Sequence, residues 1–543
     1  MVFARRSTTL LAAIIASCAM VLSLTACTSD NKTVVDGQTT VTSNSAGGVA
    51  VFTPSDGITL NQQTPLNKWA KLVPDLAKAL ADAGFKKGDI DHTTSDSLAK
   101  QSRAIQDFVV DHLSNNTTDD SGIAIAPDNM TLLVAPVVEA DASTRQYGDY
   151  VSQNLSTNDV TDEGATSDGE SSEDDSSKDD SSNTESDSTA SDEQAQAVDR
   201  LVSSLKLAKE SGMHVVLLGN SIEGYKPDAF VKFSDAQTIG KLQAEKMVSK
   251  LKLDKASKDN PKYIEVLLPY TAMDEKGNAN DSTFAQEAFR GIWQVLGSYY
   301  QKGVVESPSG TLDGKSTEND WQAVAYDAAK EGSTAKVLDK RLAKTDGQST
   351  LTRIDGIITM NDYIASEVVK ELDDLGYTGS AADINPQITI SGIVGNITGK
   401  KDLSRDAVPD PIKSPENDNA NDSSSSDDDA DEDTSASDKD RDSQWPLVTG
   451  YGAYVSNIPS IVNGKQWMTG MEDRQTIATD IAQACAKLNK DEALNSMPSI
   501  RNSEVGGVKK IPTISEPLLA VSASNLKSAL IDPGYISLAD AGL

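Results

Sequence analysis

From about residue 47 onward, short unbroken apolar runs alternate with segments whose apolar residues recur every three to four positions, and no other feature restricts the fold as much. A parallel strand buried on both faces reads as a continuous run, whereas a helix laid across it reads with a 3.6-residue period. The runs are Val49-Ala50-Val51-Phe52, Ile123-Ala124-Ile125-Ala126-Pro127, His214-Val215-Val216-Leu217-Leu218, Tyr263-Ile264-Glu265-Val266-Leu267-Leu268, and the stretches 354–360 and 387–392. Between them, Leu72, Leu76 and Leu80 recur at i+4 within 69–85, as do Ile364, Val368 and Leu372. The stretches 132–140 and 197–211 and the segment carrying Phe284, Phe289, Ile292 and Val295 also read as helices. The expected fold class is α/β, with two successive arrays of βα units making two Rossmann-like lobes with parallel sheets. Ligands in such folds sit beyond the carboxyl ends of the strands, which places a cleft between the lobes.

The chain has 543 residues and a formal charge of −33, from 82 acidic and 49 basic side chains. That balance argues against a phosphate-binding surface, so nucleic acid is not an expected partner. The acidity is local. Residues 156–193 hold 14 acids and one base, and 414–443 hold 12 acids and two bases, which leaves about −10 for the rest of the chain. Both segments lack aromatics, and Ser/Asp/Glu runs bury too little apolar surface to offset chain entropy. They read as disordered insertions, the second extending over about 396–445. Neither has the ligand order of a calcium loop.

The N-terminus reads as an export signal. Arg5 and Arg6 precede an apolar run that ends at Leu24-Thr25-Ala26-Cys27, and a small residue before Cys after a short apolar run resembles a lipoprotein signal. Residues 1–26 are then the signal peptide, Cys27 is the lipidated mature N-terminus, and 27–46 is a flexible tether rich in Thr, Ser, Asn and Gly. Cys18 leaves with the signal, so only Cys485 stays free. His92, His112 and His214 are scattered, read as surface or loop residues, and form no zinc or triad pattern. No metal and no cofactor are expected.

With the acidic insertions removed, the order of motifs resembles the sugar-binding receptors of ABC importers, the ribose, xylose and multiple-sugar type of periplasmic binding protein. Ser234-Asp235-Ala236-Gln237-Thr238-Ile239-Gly240 is similar to that family's first crossing between lobes. Asp355-Gly356-Ile357-Ile358-Thr359-Met360-Asn361-Asp362 is similar to its strand ending in Asn-Asp at the cleft. Asn463-Gly464-Lys465-Gln466-Trp467-Met468-Thr469, followed by Glu472-Asp473-Arg474, resembles the return crossing. Ile511-Pro512-Thr513-Ile514-Ser515 and the segment 525–535 resemble the third crossing and the closing helix. The resemblance implies a type I periplasmic binding protein with a three-segment hinge. Its first lobe would be 47–233 plus 468–511 and its second 234–467 plus 512–543.

It also implies a ligand site built from Trp69, Asn220, Asp235, Asn361 and Asp362. Sugars are held by rings against their C–H faces and by planar polar groups against their hydroxyls. Trp69 stands where the family has an Arg-Trp pair, and it is open to two roles, a stacking platform or a packed helix residue. Asn361 and Asp362 suit either a cleft contact or a helix N-cap. Asp235 suits either a ligand contact or the hinge. Asn220-Ser221 replaces an Asp-Arg pair, Ala236 replaces Asn, Ile393-Val394 replaces Gln-Asp, and Glu472 replaces Lys. These departures leave the ligand open. The implied function is a membrane-anchored, monomeric, non-enzymatic receptor outside the cytoplasmic membrane, delivering a carbohydrate to an ABC permease. A receptor subunit read by a sensor kinase is the alternative, and a lipid-anchored glycosidase fits worse because paired cleft carboxylates are missing.

Overall fold

A computed structural model describes residues 32–35, 38–41, 46–55, 65–115, 125–138, 146–150, 153–156, 185–273, 280–328, 330, 332–343, 351–382 and 445–543. Cys27, the run 387–392 with Ile393-Val394, and nearly all of both acidic insertions lie outside the described residues. Two compact units are present, residues 1–45 and 46–543. In the first, β1 (Lys32–Val35) and β2 (Gln38–Val41) pair antiparallel from Lys32 opposite Val41 to Val35 opposite Gln38. This antiparallel pair falls within the stretch expected to be a flexible tether. Its strands are rich in Val and Thr, and the sequence between them is Asp36-Gly37, a strong hairpin signal.

The second unit runs β3 (Gly48–Pro54), α1 (Trp69–Asp82), β4 (Ile90–Ser95), α2 (Leu98–Asn115), β5 (Met130–Val134), β6 (Asn154–Leu155), α3 (Glu185–Glu210), β7 (His214–Leu218), β8 (Ser221–Ile222) and β9 (Ala229–Lys232). It continues through α4 (Ala236–Lys250), β10 (Lys262–Val266), β11 (Leu268–Pro269), α5 (Thr283–Gln301), β12 (Val305–Glu306), β13 (Ala325–Tyr326), α6 (Ser333–Arg341), β14 (Gly356–Ile358), α7 (Asp362–Asp374) and β15 (Leu447–Val448). Its last strands and long helix are β16 (Met468–Met471), α8 (Arg474–Leu488), β17 (Ile500–Val505), β18 (Val508–Ser515) and β19 (Leu519–Ser522), followed by a short helical turn at Lys527–Ile531.

Seven strands form one sheet in the order β17-β18-β9-β7-β5-β3-β4, parallel except for β17 against β18. Successive side chains on a strand point to opposite faces, and this sheet shows it plainly. Val49 and Val51 pack with α1 and α8, while Ala50 and Phe52 pack with α2 and α3. A second sheet, β12-β10-β14-β15, is wholly parallel. One of its faces carries α4 and α5 and the other α6 and α7. The α4–α5 crossing is close because it is made of glycines. A Cβ on Gly240 would lie 2.2 Å from the Ala288 carbonyl oxygen, and one on Gly291 would lie 2.0 Å from that of Gln237.

Some local readings shift. Where a strand is expected at 123–127, residues 125 and 126 are coil and Pro127 opens a short 3₁₀ turn, and the helix expected at 132–140 is instead β5 followed by coil over 135–138. A short apolar run does not fix its own period, and Met130-Thr131-Leu132-Leu133-Val134 is buried throughout. Glu185 to Glu193, read as the end of the acidic insertion, opens α3. The amphipathic part of that helix packs against the sheet and propagates backward, and acids suit a helix N-terminus. β18 stays in the first sheet to Ser515, past the expected boundary at 512, because Ile514 is a core residue there. His112, expected at the surface, is buried with its ring stacked on Phe108 at 5.9 Å. Among the described residues, no helix is long and apolar enough to cross a membrane.

Candidate functional site

Three passages join the sheets: Phe233 to Asp235 after β9, β16 leading to Asp473, and the link from β18 to β19. β16 and β19 pair antiparallel, so two of the three passages brace each other. The carboxyl ends of both sheets meet beside them. Ser234, just past β9, bonds its hydroxyl to that of Tyr451, which follows β15.

The first-sheet side of these passages is aromatic. Trp69 opens α1 with 3% of its surface exposed. Its ring stands edge-on to Tyr150 at 5.1 Å and to Phe233 at 5.8 Å, while Tyr150 and Phe233 stack at 4.8 Å and 24°. Trp69 thus occupies the packed role of the two open to it. Asn220, 3% exposed, donates from Nδ2 to the Pro136 carbonyl at 2.9 Å and accepts at Oδ1 from the Gln153 amide at 3.0 Å. Asp235 caps α4, accepting from the Thr238 amide at 2.7 Å and hydroxyl at 2.6 Å, and pairs with Lys232 at 2.9 Å. Burial raises its pKa, but the Lys232 and Thr238 contacts outweigh that and hold it below the usual carboxylate range.

The second-sheet wall is a polar lattice. Asn361 caps α7 by accepting from the Ile364 amide at 2.9 Å. The residue before it, Met360, has φ 66°, a left-handed conformation that costs a residue with a Cβ on the order of 1 kcal/mol. Gln243 Nε2 donates to the Met360 carbonyl at 2.8 Å and holds the turn in place. Asp362 is fully buried. Its Oδ2 accepts from the Tyr454 amide and the Thr469 hydroxyl, each at 2.9 Å, and its Oδ1 accepts from Gln466 Nε2 at 2.7 Å. Burial pushes its pKa up to about 6 against those bonds. Asp362 therefore ties the loop after β15 to the passage at β16.

At the passage after β16, Glu472 is 1% exposed. It accepts from the Ser234 amide at 2.6 Å and from the Tyr451 hydroxyl at 3.4 Å, and burial lifts its pKa to about 7. Its own amide donates to Asn67 Oδ1 at 3.4 Å, while Asn67 Nδ2 is buried and has no partner among the described residues.

A segment absent from the expected site lies between the walls. Gln146 accepts at Oε1 from Asn361 Nδ2 at 3.2 Å and at its carbonyl from the Tyr454 hydroxyl at 2.6 Å. Tyr147, 1% exposed, packs among the second sheet's core residues with its ring 4.7 Å from Phe284. Asp149 bonds Lys68 Nζ at 2.9 Å and the Trp69 amide at 3.2 Å. The sequence did carry a signal for it: Tyr147 and Tyr150 flank Gly148 in a stretch otherwise free of aromatics from 135 to 196.

No family model and no curated relative matches the chain. Solved structures do. An ABC transporter solute-binding protein from Clostridium phytofermentans with bound β-D-glucose is 17% identical, with a TM-score of 0.45, covering 91% of this chain and 99% of that one. A carbohydrate transporter solute-binding protein from Chloroflexus aurantiacus in complex with D-glucose is 18% identical, with a TM-score of 0.43 and coverages of 92% and 98%. A periplasmic ribose ABC transporter protein from Conexibacter woesei is 13% identical, with a TM-score of 0.42 and coverages of 90% and 96%.

Proposed function

We propose that this protein is a lipid-anchored solute-binding protein that takes an uncharged carbohydrate between its two sheets and hands it to an ABC permease outside the cytoplasmic membrane. The observation that carries this reading is the pairing of unlike walls. A ring cluster of Trp69 and Phe233 past the first sheet and the amide and hydroxyl groups of Asn361 and Tyr454 past the second are bridged by residues 146–150. Ring faces suit the C–H surface of a sugar and neutral amides suit its hydroxyls. The buried carboxyls there, Asp362 and Glu472, are both shifted toward their neutral forms, which fits an uncharged ligand. The work is binding, without covalent chemistry. Anchoring rests on Leu24-Thr25-Ala26-Cys27, and Cys27→Ser should release the protein from the membrane.

Full-length protein should gain melting temperature with at least one neutral monosaccharide, D-glucose being the first probe, because a ligand that binds only the folded state stabilises it by RT ln(1 + [L]/Kd). A shift with no neutral sugar, or an equal shift with charged sugars, overturns the reading.

A further inference from the structure

We propose that residues 146–150 are an intramolecular occupant of the interlobe cleft, a strap that holds the two sheets together without ligand and must be displaced before a ligand enters. The site rests on the cleft reading above, but the strap's contacts stand by themselves. It touches both walls. Toward the first sheet, the Asp149 amide donates to the Asn67 carbonyl at 2.7 Å, its carboxylate pairs with Lys68 at 2.9 Å, and the Tyr150 hydroxyl donates to the Lys68 carbonyl. Toward the second, Gln146 takes one bond from Asn361 and one from Tyr454. Tyr147 follows the first sheet's β5 in the chain yet is buried in the second sheet's core cluster, against Phe284 and Tyr451.

The contacts have the chemistry a sugar would use. Tyr150 lays a flat apolar face against Phe233 and meets the edge of Trp69, where a sugar's C–H face would sit. Gln146 offers a side-chain oxygen to Asn361 and a carbonyl to Tyr454, where sugar hydroxyl oxygens would accept. One short segment thus satisfies the ring wall at one end and the polar wall at the other.

Its position in the chain suits displacement. The strap lies between β5 and β6, and its five residues belong to neither a strand nor a helix. Its fit is close at one residue. Gly148 has φ 95°, and a Cβ there would lie 2.7 Å from both the Asn67 Cβ and its carbonyl oxygen. Gly148→Ala therefore undocks the strap without removing any bonding group.

The strap also lowers apparent affinity. A site whose competent state is a fraction of the population binds with Kd divided by that fraction. Undocking removes this penalty.

Hydrogen exchange on the full-length protein tests the proposal without any ligand. Gly148→Ala and Tyr147→Ala should each speed exchange roughly tenfold in peptides covering 65–69 and 449–457, the two sides the strap joins, while β3 and β10 keep their wild-type rates. Unchanged exchange in both variants overturns the proposal. So does a rise spread equally to β3 and β10, because the strap would then be part of the fold itself. Titration with D-glucose separates the two readings. Tighter binding by Gly148→Ala, roughly tenfold, supports both, and binding equal to wild type overturns the strap as occupant. Glucose binding to neither form counts against the cleft reading, with exchange still deciding the strap.

Discussion

The two walls of the candidate site are built by different physics. On the first sheet, Trp69 and Phe233 meet edge-on at 5.8 Å and the strap's Tyr150 packs on both at 5.1 and 4.8 Å, so the wall needs little directional bonding. On the second, Asp362, Gln466, Asn457 and Thr469 form a buried lattice in which nearly every polar atom has a named partner. A ring wall tolerates partial loss, since dispersion is shared among many contacts. A buried polar lattice does not, because each orphaned donor costs about 1–3 kcal/mol. The difference predicts that the first wall fails by volume and the second by stoichiometry.

The largest effect should come from the ring wall. Trp69→Ala is expected to cost about 3–5 kcal/mol of unfolding free energy by denaturant titration, with Trp69→Phe recovering most of it. A loss below about 1 kcal/mol would show that Trp69 packs loosely and would return it to the role of ligand platform. Next is the lattice. Asp362→Asn presents an NH₂ where the Tyr454 amide, the Thr469 hydroxyl or Gln466 now donates, so at least one donor is left facing another, at about 1–3 kcal/mol. If the asparagine variant is as stable as wild type, the lattice tolerates a donor where the carboxylate sits and the contrast between the walls collapses.

The same contrast explains what the sequence disclosed. Leu72, Leu76 and Leu80 stand on one helix face, and the alternation Val49, Ala50, Val51, Phe52 divides between two cores, so local spacing alone carried the sheets and their helices. Asn361-Asp362 was legible as a strand end followed by a cap for the same reason. The partners of Asp362 were not, because Tyr454, Gln466 and Thr469 lie 92 to 107 positions away. Glu472 was visible only as a departure from a resembled lysine. Its meeting with Ser234, 238 positions earlier, is a property of the folded passages and of no local pattern. The strap was not legible because Tyr147 and Tyr150 around one glycine show neither a helical nor a strand period.

Glu472 sharpens the comparison through pH. Its folded pKa, about 7, lies above the ordinary carboxylate value of 4.5, so the folded state binds the extra proton between them. The stabilisation it contributes is fully present below pH 4.5 and is lost as pH rises through 7. Asp362, lifted to about 6, acts in the same direction, whereas burial lowers the pKa of His112 and gives it the opposite one. Glu472→Gln isolates the carboxyl after β16, since the amide oxygen still accepts from Ser234. The variant should melt close to wild type at pH 5 and above it at pH 8, by on the order of a few degrees. An equal offset at both pH values would mean that Glu472 keeps its proton throughout, or never holds it.

The smallest effect belongs to Asn361, which joins the second wall to the strap. Its Oδ1 caps α7 and its Nδ2 reaches the strap, so one side chain joins a local helix role to a long-range one. Asn361→Ala removes both and should cost about 1 kcal/mol, the usual value of a lost N-cap. Asn361→Ser keeps the cap, because a serine hydroxyl accepts from the N3 amide as well as asparagine does, but it is too short to reach Gln146. Its stability should fall by no more than a few tenths of a kcal/mol, yet exchange at 449–457 should still quicken relative to wild type. A serine variant that matches wild type in both measurements would assign Asn361 to capping alone and leave Tyr454 as the contact that holds Gln146 to the second wall.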